Sequence, residues 1–108
     1  MSIIQMPQQY QSENNPVDYD RLTHYQKERL SGWIDTYLKP YKTQKTQLHY
    51  PNSYELKHCF QFNGGFYVSN GAFKGAMLEK GYKVHDRTFL NWTFNVGLNA
   101  VKKNDFHR

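Results

Sequence analysis

The sequence contains little of the material from which catalytic, metal-binding or disulfide-linked sites are made. Its 108 residues include one cysteine, Cys59, which excludes an internal disulfide framework and a multi-cysteine zinc site. The five histidines show no pairing at ligand spacing, and the nine acidic residues form no paired-carboxylate motif. The chain also lacks a Walker loop and a GxGxxG motif. We therefore expect a protein that is not an enzyme and holds no metal or cofactor.

Long apolar runs are missing as well. No stretch approaches the roughly 20 apolar residues that a membrane span requires. The first residues, MSIIQMPQQYQ, lack the charged and apolar pattern of a secretory leader. A chain of this length supports one modest core. These features predict a single-domain cytoplasmic protein that does not contact a membrane.

Positive charge is concentrated in the later part of the chain. Residues 1–35 carry three basic and five acidic side chains, a net charge of −2. Residues 36–108 carry eleven basic and four acidic side chains, a net charge of +7. A basic field favours nucleic acid or an acidic protein surface as the partner. A lysine-rich surface that serves only solubility remains an alternative.

Composition divides the chain into three parts. Residues 1–17 are rich in Gln, Asn, Ser and Pro and predict a flexible N-terminal arm. Residues 18–97 contain the periodic apolar segments and form the expected folded domain. Residues 98–108 predict a basic C-terminal tail that frays at its end.

Apolar spacing predicts three helices in the folded domain. The first spans about residues 19–38, and the second begins at Asn52, where Glu55 completes a capping box. The third occupies about residues 70–80. Lys57 is expected to face water. The positions expected to face the core are Leu22, Leu30, Trp33, Ile34, Tyr37 and Leu38 in the first helix, Leu56, Cys59 and Phe60 in the second, and Phe73, Ala76 and Met77 in the third.

The residues after Gly81 predict a β-hairpin. Residues 82–84 suit one strand, and residues 90–96 alternate between apolar and polar side chains, as a half-buried strand does. A further brief strand is predicted at residues 66–68. Helices followed by a hairpin give an α+β fold, which we predict to be a small winged helix-turn-helix domain of three helices and a C-terminal β-hairpin.

The third helix carries a strip of small residues that indicates close approach of another backbone. Gly71, Gly75 and Leu78 lie on the side opposite the buried stripe. An interior glycine costs a helix about 1 kcal/mol, so a compensating contact is expected. The approaching backbone is DNA, a partner protein, or this chain's own connector or N-terminal arm. Lys74 is placed to hold a phosphate and Asn70 to reach a base edge.

Two further groups of cations are candidate phosphate contacts. Lys83 and Arg87 lie on the predicted wing, where basic side chains commonly touch the nucleic-acid backbone. Lys42 and Lys45 follow Lys39 at a spacing of three in the polar connector after the first helix. For the connector lysines, a solvated loop is the favoured interpretation and a phosphate contact is the alternative.

Three motifs between residues 40 and 96 resemble a known group of proteins. The motifs are SYxLKH at residues 53–58, GxYxxNxxFKxAMLxxGY at residues 65–82 and LNW at residues 90–92. They are similar to small uncharacterised accessory proteins of Gram-positive phages and mobile genetic islands. A weaker similarity is to the winged-helix tail of poxvirus-type primase-helicases. The resemblance implies a role in replication, regulation or host takeover, and it carries over no residue-level activity.

Two functional hypotheses follow from these features. The first is a non-enzymatic winged helix-turn-helix protein that binds DNA or a nucleic-acid-bound complex. The second is a host-directed inhibitor of the anti-CRISPR type, which binds a nuclease or replication protein at its nucleic-acid channel. Both use the glycine strip and the basic side chains named above.

Overall fold

The computed structural model describes residues 12–104, which are built around four α-helices. No helix in this part of the chain is long and apolar enough to cross a membrane. The α-helices are α1 (His24–Tyr37), α2 (Ser53–Phe62), α3 (Asn70–Glu79) and α4 (Asn99–Asn104), and short 3-10 helices occupy Ser12–Asn14, Pro16–Arg21 and Lys39–Tyr41.

Helix α1 begins later than the apolar pattern indicated. The Thr23 side chain accepts a hydrogen bond from the Gln26 backbone N–H, and the Gln26 side chain accepts one from Thr23 N–H, so a capping box starts the helix. The preceding residues, Pro16–Arg21, form a separate 3-10 helix that the Asn15 side chain caps. The predicted start near residue 19 is therefore wrong, because two local caps divide the segment.

Helices α2 and α3 follow their sequence signals closely. Asn52 and Glu55 form the predicted capping box of α2, with hydrogen bonds of 2.9 Å in both directions. The Ser69 hydroxyl accepts a hydrogen bond from Ala72 N–H and caps α3. Beyond the end of α3, Gly81 takes a φ of +85°, a conformation that glycine adopts without strain. The predicted ends of both helices are confirmed to within a residue or two.

The apolar faces of the helices enclose residues 92–96 and form one core. Of the twelve helix positions predicted to face the core, ten are buried, and the other two, Leu22 and Tyr37, are partly buried and pack against it. The largest of the fully buried apolar side chains are Trp92, Phe60, Phe73, Phe94, Leu30, Ile34, Leu38, Leu56 and Met77.

The predicted C-terminal β-hairpin is absent, so the winged helix-turn-helix class is wrong. Residues 12–104 contain no β-strand, and the brief strand expected at residues 66–68 is also missing. A single antiparallel backbone pairing, between Val84 and Phe94, stands where the hairpin was expected. One isolated pairing does not make a ladder, and the described fold is mainly helical.

Buried polar side chains explain why no hairpin forms. Asn95 was expected to face water, yet it is 3% exposed. Its Oδ1 accepts a hydrogen bond from Lys83 N–H at 2.8 Å, and its Nδ2 donates one to the Thr43 carbonyl at 2.9 Å. Thr43 N–H in turn donates to the Asn95 carbonyl at 2.8 Å. A side chain thus joins the two flanking segments, and it takes the backbone donor that a strand partner would use.

Both ends of the described chain pack against the domain. Residues 12–21, here called the N-terminal segment, lie along α3, and the contact between Pro16–Arg21 and α3 is the most extensive between any two elements. In α4, Ala100 and Val101 belong to the core. Parts of the predicted arm and tail are therefore integral to the fold. The remainder of those two regions, residues 1–11 and 105–108, lies outside the described residues.

Candidate functional site

The glycine strip of α3 is covered by the N-terminal segment of the same chain. A Cβ atom on Gly71 would stand 2.7 Å from the Asn15 carbonyl carbon, with the Asn15 oxygen closer still. A Cβ atom on Gly75 would collide with the Pro16 oxygen and the Tyr19 side chain. Of the three backbones proposed to approach this strip, the structure shows the chain's own N-terminal residues.

Lys74 lies inside the molecule, at 0% exposure. Its ammonium donates a hydrogen bond to the Asn14 carbonyl at 3.1 Å and stands 4.7 Å from the centre of the Trp92 ring. Burial lowers the pKa of this ammonium to about 8. Lys74 therefore helps to hold the N-terminal segment, and it is out of reach of a phosphate while that segment is in place.

Asn70 and Leu78, the other predicted contact residues on α3, are also engaged within the fold. The Asn70 Nδ2 donates hydrogen bonds to Oδ1 of Asn91 at 2.9 Å and to Oδ1 of Asn14 at 3.2 Å. Leu78 is partly buried and packs against the core. None of the five predicted positions on α3 offers a free side chain for a second molecule in this conformation.

Four exposed lysines form a basic surface, which we define as Lys39, Lys42, Lys45 and Lys83. The connector that carries three of them is held by backbone hydrogen bonds to residues 94–97, which bring it beside residues 82–85. The Lys83 ammonium accordingly donates to the Gln44 carbonyl at 3.3 Å. Two groups of cations that are distant in sequence thus share one surface.

Two members of the basic surface, Lys39 and Lys42, line a hollow together with Asp35, Lys80 and Tyr82. The carboxylate of Asp35 at its edge pairs with the Lys80 ammonium at 2.8 Å. The Lys42 ammonium stands 4.6 Å from the centre of the Tyr82 ring, a contact that leaves its charge uncompensated. The hollow therefore keeps a net positive charge.

Arg87, the second predicted wing cation, has different neighbours from Lys83. Its guanidinium lies 5.7 Å from the centre of the Trp92 ring, and its carbonyl accepts a hydrogen bond from the indole N–H of Trp92 at 3.2 Å. Lys83 instead contacts the connector. Because the hairpin is absent, the predicted pairing of Lys83 and Arg87 on one wing is lost.

A cavity of about 500 Å³, here called the Lys57 cavity, lies where α2 faces the start of α3 and residues 90–91. Lys57 was expected to face water but is 6% exposed. Its ammonium stands 5.4 Å from the ring centre of Tyr54 and 5.0 Å from that of Tyr67, and it donates a hydrogen bond to Gln61 at 3.2 Å. Burial lowers the pKa of this ammonium.

A sequence signal for the Lys57 cavity exists but is weak. Lys57 lies three residues before Phe60, at the edge of the buried stripe of α2. Its partner Tyr67 is held by a hydrogen bond of 2.7 Å from its hydroxyl to the Glu13 carboxylate. The hydrogen bond between Tyr67 and Glu13 joins residues 54 positions apart, so no local sequence pattern indicates it.

The described residues contain no metal-binding cluster, and Cys59 is not poised as a nucleophile. Cys59 is buried, and burial raises the pKa of its thiol to about 11, so it remains protonated at neutral pH. Burial and the neighbouring Lys57 lower the pKa of His58. In residues 12–104, no group of three or more His, Cys, Asp or Glu side chains is placed to hold a metal ion.

Comparison with protein-family models, with curated proteins and with solved structures found no match.

Proposed function

We propose that this protein binds nucleic acid without catalysing a reaction and that its basic surface makes the contact. The observation that supports this is the exposure of Lys39, Lys42, Lys45 and Lys83 on one part of the molecule. Within residues 12–104, no acidic side chain forms an ion pair with any of the four. In keeping with the sequence resemblance, we assign the protein to a phage or mobile element and to the cytoplasm of a bacterial host.

Phosphate is the group that such a surface suits best. Lysine ammonium groups act as mobile point charges, and each one that neutralises a phosphate releases a condensed counterion. Lysine contacts of this kind carry little base information, because phosphates repeat at every nucleotide. The expected binding is therefore strongly dependent on salt and weakly dependent on sequence.

The basic surface is tested by the double substitution Lys42→Ala/Lys83→Ala. We expect affinity for any duplex to fall about tenfold at moderate salt, because two phosphate contacts are lost. The slope of log K against log salt concentration should become shallower by about 2. Fluorescence anisotropy with a labelled duplex at several salt concentrations measures both quantities.

A matched control removes two positive charges from elsewhere. Arg21→Ala/Lys27→Ala gives the same net charge, but Arg21 pairs with Asp18 and neither residue belongs to the basic surface. We expect this control to keep most of the affinity and the original salt slope. If both double variants lost the same affinity for DNA, or if Lys42→Ala/Lys83→Ala kept the original salt slope, the basic surface would not be the DNA contact.

A second candidate function is inhibition of a host nuclease or replication protein. It is favoured by exposed aromatic side chains, since Phe62 is 77% exposed and Tyr67 is 63% exposed, and aromatic residues commonly anchor protein interfaces. The basic surface would then occupy the partner's nucleic-acid channel. A gel shift separates the two functions: submicromolar binding of DNA by the purified protein supports the first, and DNA retention only with a host protein supports the second.

A further inference from the structure

The Lys57 cavity has a mixed lining that the basic surface does not use. Two tyrosine rings stand within 5.4 Å of one ammonium nitrogen, and both are at least half exposed at the rim. The facing wall carries the side-chain amides of Asn70 and Asn91. A volume of about 500 Å³ falls within the range of sites that hold small organic molecules.

The lining excludes several kinds of ligand. A purely apolar molecule would cover the Lys57 ammonium and the amides without offering them hydrogen bonds, which is costly. A cation would be repelled by Lys57. A simple anion would be attracted by Lys57 but would meet the Glu13 carboxylate, which also lines the cavity. A neutral planar ring with polar edges satisfies all of these groups.

Asn70 adds a hydrogen-bonding requirement of its own. It is 6% exposed, and its Oδ1 atom has no hydrogen-bond partner among the described residues. Its Nδ2, by contrast, is engaged by Asn14 and Asn91. A buried acceptor without a donor is unfavourable. Asn70 lines the cavity but this oxygen is covered in the present conformation, so an N–H group on a bound ring would reach it only after neighbouring side chains move.

We propose that the Lys57 cavity binds a nucleobase. The ring stacks on Tyr54 or Tyr67, one of its acceptor atoms faces the Lys57 ammonium, and a ring N–H or amino group faces Asn70. Nucleobases combine a flat aromatic face with donors and acceptors on their edges, and proteins commonly recognise unpaired bases in this way. The same chemistry is offered by a free nucleoside and by a base turned out of a single strand.

The test compares two aromatic substitutions on α2. Tyr54→Ala removes a ring that lines the cavity, whereas Phe62→Ala removes a more exposed ring on the same helix that does not line it. Both side chains are at least half exposed, so both variants should fold, which thermal unfolding verifies. The probes are adenosine, guanosine, cytidine and uridine, titrated separately by calorimetry, and a single-stranded homopolymeric oligonucleotide.

We expect at least one nucleoside, or the single strand, to bind wild type about tenfold more tightly than Tyr54→Ala. Phe62→Ala should bind like wild type. Lys57→Gln should also weaken binding, because the shorter amide side chain can still form hydrogen bonds but carries no positive charge. A response confined to the single strand identifies a strand base as the ligand, and a response to nucleosides identifies a free ligand.

Two results would overturn the proposal. One is the absence of any nucleoside binding together with unchanged single-strand affinity in Tyr54→Ala. The other is equal weakening by Tyr54→Ala and Phe62→Ala, which would indicate a general aromatic or protein-binding surface. Nucleosides carry no phosphate, so their binding should persist in Lys42→Ala/Lys83→Ala. The experiments can therefore contradict nucleobase binding by the Lys57 cavity while supporting nucleic-acid binding by the basic surface, or the reverse.

Discussion

Gly75→Ala should destabilise the protein by about 3 kcal/mol, even though alanine favours a helix by about 1 kcal/mol over glycine. The added methyl group would meet the Pro16 carbonyl oxygen and the Tyr19 side chain. Because a backbone atom is involved, the N-terminal segment would have to move away from α3. Urea denaturation followed by far-ultraviolet circular dichroism measures the change in unfolding free energy.

Gly32→Ala is the matched control for this substitution. Gly32 also lies inside a helix, α1, but a Cβ atom placed there has nothing within 4 Å. The same chemical change should therefore stabilise the protein by about 0.5–1 kcal/mol. If Gly75→Ala proved stabilising like Gly32→Ala, the N-terminal segment would not pack on α3 as described.

The second large effect concerns the buried ammonium of Lys74. Its pKa is about 8 in the folded protein against an ordinary 10.5. Between these values the unfolded chain holds a proton that the folded protein has released, so the unfolding free energy rises with pH. In Lys74→Met the group is absent. The stability of wild type relative to Lys74→Met should increase by about 1 kcal/mol from pH 7 to pH 9.

The unfolding free energies of wild type and Lys74→Met must be compared, because other titrating groups lower the stability of both proteins as the pH rises. Burial raises the pKa of the Cys59 thiol to about 11 and that of the Tyr82 hydroxyl to about 12. Above about pH 9 the unfolded chain loses these protons first, which lowers stability as pH rises. Both groups are also present in Lys74→Met, so their contributions to the unfolding free energy cancel in the difference between the two proteins. Denaturant titrations at pH 7, 8 and 9 give the comparison, and a constant difference would contradict the burial of a charged Lys74.

The helices illustrate what can be predicted from local chemistry. The capping box of Asn52 and Glu55 joins residues three positions apart, so the start of α2 could be identified without knowledge of the fold. The Thr23 and Gln26 box at the start of α1 has the same spacing. The predicted start of α1 is too early because the apolar stripe extends further back, into a 3-10 helix with its own cap.

The glycine strip illustrates what local sequence patterns cannot predict. Gly71 and Gly75 correctly indicated that a backbone approaches α3. Whether that backbone belonged to DNA, to a partner or to the chain itself depends on contacts between residues about 55 to 60 positions apart, such as Lys74 with Asn14. The burial of Lys74 depends on the same long-range packing, and so does the accessibility of the predicted contact residues.

The amino-acid sequence by itself determined the existence of α1, α2 and α3, the cap of α2, the apolar stripes and the excess of positive charge, because each depends on neighbouring residues or on composition. Only the tertiary structure decided against the hairpin, since buried Asn95 joins the connector to residues 82–85 through its side chain. It also decided which lysines are exposed on the basic surface and which are enclosed. Burial is the sum of contacts from distant segments, and no local pattern encodes that sum.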